Sequence, residues 1–259
     1  MNVEPENSGV AGRVVLVTGG SSGTGRRFAE ILAARGARVA VAARRMQLVE
    51  EVSDGIVRAG GEAVAIPMDV ADEASTVAAY DAIEAALGPV DTIVANAGVS
   101  FGGSMLGMSV KDFDATMSIN VRGVFLTCRE GARRMIAHGI SEHGRGRVVV
   151  VSSVTGSWVP PGAAAYAASK AAVTQLSRAM AKDWSGKGIN VNILAPGYML
   201  TDMTAGLWET EKGRKLLDSF PRQRLMDVDV LDDALLYFCS DRCAQVTGSI
   251  FTIDDGQTL

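Results

Sequence analysis

Three side chains in the middle of the sequence have the types and spacing to move a proton to or from a carbonyl oxygen: Ser153, Tyr166 and Lys170. Tyr166 and Lys170 stand four apart in Tyr166-Ala167-Ala168-Ser169-Lys170, which puts both on one face of a helix. A free phenol has a pKa of about 10, poorly matched to proton transfer at neutral pH. An ammonium beside it favours the phenolate, so Lys170 is expected to pull the Tyr166 pKa down, each unit needing about 1.4 kcal/mol. The remaining lysine protons suit ribose hydroxyls. Ser153 ends the strand before that helix, where it could donate to the same carbonyl oxygen. A Tyr/Lys pair at this spacing occurs on many helices, so its meaning depends on what surrounds it.

A second constellation suits a dinucleotide. Thr18-Gly19-Gly20-Ser21-Ser22-Gly23-Thr24-Gly25 follows an apolar strand and opens a helix. Gly19, Gly23 and Gly25 let backbone approach a pyrophosphate, with Ser21, Ser22 and Thr24 beside it and a helix N-terminus supplying N–H donors. NAD sites usually carry an acid at the end of the second strand, bonded to the ribose 2′-hydroxyl. Here the run Val39-Ala40-Val41-Ala42-Ala43 ends in Arg44 and Arg45. A carboxylate would repel a 2′-phosphate, whereas guanidinium groups bind one in charge-assisted pairs. NADP(H) is therefore favoured, and NAD(H) stays open. Asp69, followed by Val70, ends the third strand and suits the adenine amino group, although a helix cap is the alternative and Asp72 is the better cap. Asn96-Ala97-Gly98 ends the fourth strand, with Asn96 expected to brace neighbouring strand ends and Gly98 to keep the crevice open. Asn120 interrupts an apolar helical run, Ile119 and Val121 flanking it, and a buried Asn with a task is expected there.

These residues need a scaffold that brings strand ends together. Apolar, β-branched runs at residues 13–18, 38–43, 63–68, 92–95, 147–152, 190–195 and 249–253 read as strands. Helical periods fall at 25–35, 46–59, 73–87, 111–137, 166–185 and 231–240. The alternation predicts an α/β, doubly wound Rossmann-type parallel sheet of about seven strands, covered by helices on both faces, with ligands at the carboxyl ends of the strands. No linker or repeat divides the chain, so residues 1–259 read as one domain holding both cofactor and substrate sites. Residues 198–223 follow a strand on the ligand side and are a candidate lid. Residues 138–146 precede a strand, on the opposite face, which favours a structural role. Val154, Trp158, Tyr198, Met203 and Trp208 follow motif positions and are candidate substrate contacts, with Phe101, Met105, Met199 and Leu207 as further pocket candidates; ordinary core packing is the alternative for each.

Bulk properties narrow the function. The 259 residues are 47% hydrophobic and 21% charged, with a net charge of −4, which offers no general attraction to nucleic acid or anionic membrane. No apolar run reaches membrane-span or signal-peptide length, and the first nine residues are polar. Cys128, Cys239 and Cys243 form no C-x-x-C pair and read as buried thiols of a reducing compartment, so a cytoplasmic location is expected. His138 and His143 are the only histidines and lie off the active face, so no metal site is expected.

Together these motifs resemble the short-chain dehydrogenase/reductase family over nearly the whole chain. The family turn matches Thr18–Gly25, its N-A-G matches Asn96–Gly98, and its Y-x-x-x-K matches Tyr166 and Lys170, with Ser153 thirteen residues before the tyrosine. The resemblance implies hydride transfer between a nicotinamide and a ketone or secondary alcohol, usually in a homotetramer, with a homodimer as alternative. It implies Tyr166 as acid/base, Ser153 as donor to the carbonyl oxygen, Lys170 as pKa modulator and ribose ligand, and Asn120 as support for a relay water. It further implies that Pro196, Gly197 and Thr201 contact the nicotinamide end. Thr24 stands where the family has a branched apolar residue, Asp255 where it has glycine, and residues 224–230 lack the usual Gly and Pro-Glu-Glu. The expected activity is that of a carbonyl reductase of hydrophobic substrates. The alternatives are a 3-oxoacyl-(acyl-carrier-protein) reductase, whose acidic carrier could dock on Arg129, Arg133 and Arg134, an NAD-dependent alcohol or sugar dehydrogenase, and a non-enzymatic nucleotide sensor, which the retained Tyr166 and Lys170 disfavour.

Overall fold

The computed structural model describes residues 9–259, and the polar stretch 1–8 lies outside the described residues. Seven strands, β1 (Val14–Thr18), β2 (Arg38–Ala43), β3 (Glu62–Pro67), β4 (Thr92–Ala95), β5 (Gly146–Val151), β6 (Ile189–Pro196) and β7 (Ile250–Ile253), form one sheet in the order β3-β2-β1-β4-β5-β6-β7. Every pairing is parallel. β1, β4, β5 and β6 are buried at every position because helices cover both faces; Val14–Val17 of β1 and Val148–Val151 of β5 are unbroken apolar runs, while β6 buries Asn190 and Asn192, whose amides donate to the carbonyls of Cys243, Ala244 and Val246. Chain order reverses at β1, which pairs with β2 on one side and β4 on the other, with Val15 opposite both Val39 and Thr92. A ligand crevice belongs at that reversal, beyond the strand C-termini.

The helices are α1 (Gly23–Ala34), α2 (Met46–Arg58), α3 (Glu73–Leu87), α4 (Val110–Met117), α5 (Gly123–Ala137), α6 (Ile140–His143), α7 (Ala164–Trp184), α8 (Ala205–Trp208), α9 (Glu211–Ser219) and α10 (Asp232–Cys239). Phe28 and Leu32 of α1, Val49 and Val52 of α2 and Leu235 and Phe238 of α10 build the core on one face of the sheet. Tyr80 and Ile83 of α3, Cys128 and Met135 of α5 and Val173 and Met180 of α7 build it on the other.

The helix expected over residues 111–137 is not continuous. A π-turn, Ser118–Arg122, separates α4 from α5 and carries Asn120. Hydropathy periods do not resolve one extra residue in a turn, which is why the sequence reads as a single helix. Segment 198–223, the candidate lid, contains α8 and α9. Residues 138–146 hold α6, and the carbonyls of Gly144 and Arg145 accept bonds from Arg147 and Arg13 at the base of the sheet.

Candidate active site

The glycine turn closes tightly under β1 and β4. Gly19 and Gly23 adopt φ of 69° and 54°, a region that favours glycine. A Cβ on Gly25 would lie 2.3 Å from the Gly19 carbonyl oxygen and 2.5 Å from Asn96 Nδ2. Gly25 is thus a packing glycine under the turn, and it does not line the cleft. Asn96 Nδ2 donates to the Thr18 carbonyl (3.0 Å), and the backbone N–H groups of Asn96 and Ala97 donate to Thr18 Oγ1 (3.1 and 3.2 Å). The expected brace between strand ends is therefore present. Thr24, unusual for its position, donates to Asn96 Oδ1 at 2.9 Å, so its hydroxyl completes the brace where an apolar side chain could not.

Ser22 precedes α1 without capping it by its side chain, and Ser22, Gly23 and Thr24 at this uncapped helix start line the cleft. Arg45 Nη2 donates to both Ser21 Oγ (2.8 Å) and Ser22 Oγ (2.9 Å), and Arg44 lines the same corner. No carboxylate stands at the end of β2. Asp69 turns one oxygen back to the Ala71 N–H (3.0 Å), and Asp72 caps α3 through Ser75 N–H (2.6 Å), as expected of the better cap. Asp69 and Val70 nevertheless line the cleft beside Gly98.

Asn120 is buried and fully bonded. Its Oδ1 accepts from Val99 N–H (2.8 Å), while Nδ2 donates to the Val99 carbonyl (2.9 Å) and Ser169 Oγ (3.0 Å). It pins the loop after β4 to α7 and is not part of the cleft wall, which its neighbour Ile119 joins. Its side chain has no donor left for a water, so any such role passes to the backbone of the π-turn.

Ser153, Tyr166 and Lys170 converge. Ser153 lies two residues past the end of β5, at the start of the turn Val154–Gly156, and bonds the Tyr166 phenol. Lys170 Nζ lies 5.5 Å from the centre of the Tyr166 ring and donates to the Val151 carbonyl at 2.8 Å. Burial pushes the phenol up to about 12, partly offset by the Ser153 bond, and pulls the lysine down to about 8. The expectation that Lys170 lowers the Tyr166 pKa is thus corrected: removal from water dominates both groups and moves each toward its neutral form.

All of this opens into one cleft of about 1110 Å³, ample for a dinucleotide with a small substrate. Pro196, Gly197 and Thr201 line it, Gly197 packed so closely that a Cβ would meet Gln257 Oε1 at 2.5 Å. On the substrate side stand Val154, Trp158, Tyr198, Met199, Met203 and Leu207. Trp208 instead sits behind the wall, its ring 5.4 Å from that of Tyr198 and its buried indole N–H without an acceptor among the described residues. Phe101 and Met105 are outside the cleft wall and partly or largely exposed. Lining or supporting residues without a motif signal include Lys212 and Lys215 of α9, and Gln257, which holds Tyr198. Their distance in sequence from every motif hides them; a charge pair three apart in the lid was the only available hint. The departures at the C-terminus also find partners, since Asp255, at φ 51°, pairs with Arg222 (3.0 Å) and Arg224 (2.7 Å).

Residues 13–212 match the family model described as short chain dehydrogenase. A D-threitol dehydrogenase from Mycolicibacterium smegmatis is 33% identical over 96% of this chain and 94% of its own. A crystal structure of a gluconate 5-dehydrogenase from Burkholderia cenocepacia, in complex with NADP and tartrate, superposes with a TM-score of 0.91 at 32% identity, covering 99% of each chain. A 3-ketoacyl-(acyl-carrier-protein) reductase from Brucella melitensis complexed with NADH gives 0.87 at 30%, covering 96% of this chain and all of that one. The motifs, the sheet order and these likenesses coincide: the chain belongs to the short-chain dehydrogenase/reductase family of nicotinamide-dependent oxidoreductases.

Proposed function

We propose that this oxidoreductase uses NADP(H) and acts on ketones and secondary alcohols, as a carbonyl reductase of hydrophobic substrates. The observation that carries the reading is the convergence of Ser153, Tyr166 and Lys170 with the glycine turn and the Arg44–Arg45 corner on one cleft. The dinucleotide would supply or accept the hydride. Ser153 holds the carbonyl oxygen by a donated hydrogen bond, and Tyr166 gives that oxygen its proton. Burial holds the Tyr166 phenol in its protonated form, so it has a proton to give when a carbonyl oxygen is bound. Lys170 keeps one N–H on Val151 and offers its others to the ribose hydroxyls. The glycines at 19 and 23, with Gly25 packed beneath them, shape the pyrophosphate cradle; Asp69 and Val70 border the adenine; Asn96, Ala97, Gly98, Pro196, Gly197 and Thr201 border the nicotinamide end. Arg44, and Arg45 through Ser21 and Ser22, bind the 2′-phosphate. Asn120 acts as a positioning residue, and the π-turn backbone it stabilises holds the relay water. Segment 198–223, with α8 and α9, is the lid, and residues 1–259 work as one domain.

Support for the carrier-docking alternative is reduced at this patch, because its arginines already pair with carboxylates of the chain, although Arg133 stays largely exposed. Arg129 pairs with Glu73, Arg133 lies 3.6 Å from Glu130, and Arg134 bonds Glu130, Asp81 and Glu84. The protein is further proposed to be a cytoplasmic homotetramer or homodimer; the edge strand β7 exposes Ile250 and Phe251, which supports self-association, and among the described residues no helix is long and apolar enough to cross a membrane. A panel of ketones and alcohols with NADPH/NADP and NADH/NAD tests the reading. Turnover with NADPH that is abolished by Tyr166→Phe, cofactor binding being retained, is the expected result. Preference for NADH overturns the reading of Arg44.

A further inference from the structure

Within the apolar substrate wall the Tyr198 hydroxyl is a polar group open to the cleft. Tyr198 lines the same cleft as Tyr166, and its hydroxyl has no hydrogen-bond partner among the described residues. The two phenols are near enough to feel one another's charge, and burial holds Tyr198 up to about 12, so it too stays a protonated donor. Its placement is over-determined. Gln257 Oε1 accepts the Tyr198 N–H at 2.6 Å, Gln257 Nε2 donates to the Tyr198 carbonyl at 3.1 Å, and the Met226 N–H donates to the same carbonyl at 3.1 Å. The ring is boxed by Trp208 at 5.4 Å and Phe220 at 5.6 Å, with Trp158 edge-on at 6.4 Å. A clamp on both sides of the peptide and a box around the ring do more than fill space; an apolar side chain would pack as well without leaving a hydroxyl bare.

We infer that Tyr198 is a specificity-determining residue whose hydroxyl bonds a second oxygen of the substrate, so that the preferred pairs are hydroxy ketones and the matching diols. Ser153 and Tyr166 hold the reacting oxygen, and Tyr198 holds its neighbour; an apolar pocket with few fixed polar groups orients a ligand in this way. A bound substrate lacking the second oxygen would displace water from the phenol and leave it unpaired, and sites built to bond a hydroxyl discriminate on that ground. Gln257 is the positioning residue for this contact. The inference rests on the proposed hydride-transfer reading and narrows its hydrophobic substrates to those bearing an adjacent hydroxyl.

The test compares matched pairs, 2-butanone with acetoin and phenylacetone with phenylacetylcarbinol, in the full-length parent, Tyr198→Phe and Gln257→Met. The readout is the ratio of kcat/KM for the hydroxy ketone to that for the plain ketone. The parent is expected to favour the hydroxy member, and Tyr198→Phe to lower that ratio about tenfold, with NADPH Kd as the control for an intact fold. Gln257→Met is expected to lower it in the same direction through KM more than kcat. Equal loss on both members, or an unchanged ratio in Tyr198→Phe, overturns the inference while leaving the hydride-transfer reading in place. A parent that turns over neither series with either cofactor overturns both.

Discussion

Lys170 and Tyr166 are displaced in opposite directions by one cause, and stability should record both. Lys170 sits at about 8 when folded against an ordinary 10.5. Between those values the unfolded chain holds a proton that the folded one lacks, so stability rises with pH across that window. Below about 8 the buried ammonium costs the full difference, of order 3 kcal/mol. Tyr166 works the other way: between 10 and about 12 the folded chain keeps a proton that the unfolded chain has lost, and stability falls as pH climbs through that range. Lys170→Met should therefore be more stable than the parent at pH 7, by roughly 1–3 kcal/mol after the Val151 carbonyl loses its partner, with the advantage fading toward pH 10.5. Urea unfolding at pH 7 and pH 9.5 checks this, and a variant less stable than the parent at pH 7 would refute it. The same substitution is expected to cripple turnover, which makes the site a place where stability is given up for chemistry.

At the scale of elements, the π-turn between α4 and α5 is the device that the local sequence conceals. Tyr166, Lys170, Ser153 and the glycine turn were legible because each combines a chemical type with a fixed local spacing, and the strands were legible because burial leaves them rich in Val, Ile and Ala, even where β6 admits Asn190 and Asn192. Asn120 was legible as an anomaly, an amide in an apolar helical stretch, but its task depends on Val99 and Ser169, and pairings of that range leave no periodic trace. The same holds for Gln257 against Tyr198, for Arg45 reaching back to Ser21 and Ser22, and for Trp208, whose type suggested the pocket while its packing put it one layer behind. Asn120→Ala removes the partners of both polar groups of Val99 and is expected to cost about 2 kcal/mol in thermal or urea unfolding. It should also lower kcat more than it weakens cofactor binding, because the loop it pins borders the reacting end; unchanged kcat would mean that the turn serves packing alone.

At the scale of the molecule, the two ends of the sheet are built on different principles. The ligand end keeps groups bare, whereas the opposite end saturates them. Arg13 is fully buried there, donating to Asp91 Oδ1 (3.1 Å), Thr92 Oγ1 (3.1 Å) and the Arg145 carbonyl (2.9 Å) and pairing with Asp241. Arg147 is buried beside it, bonded to the carbonyls of Ser240, Gly144 and Gly146, and is held below its ordinary pKa by burial and by the charge of Arg13. Asp91→Asn is expected to destabilise the protein by about 3 kcal/mol, with little relief or aggravation from salt, and to leave the KM for cofactor within about twofold. A changed cofactor KM at unchanged stability would show that the two ends communicate. The order of the strands has a consequence for assembly in time. The chain up to Leu87 can build β1, β2 and β3 with their helices, yet the second edge of β1, Val14–Thr18, finds its partner only when β4 arrives, Val15 pairing with Thr92, 77 positions later. Until then a five-residue apolar strand is open to any other edge, so early in synthesis or refolding the centre of the finished sheet is its most adhesive surface.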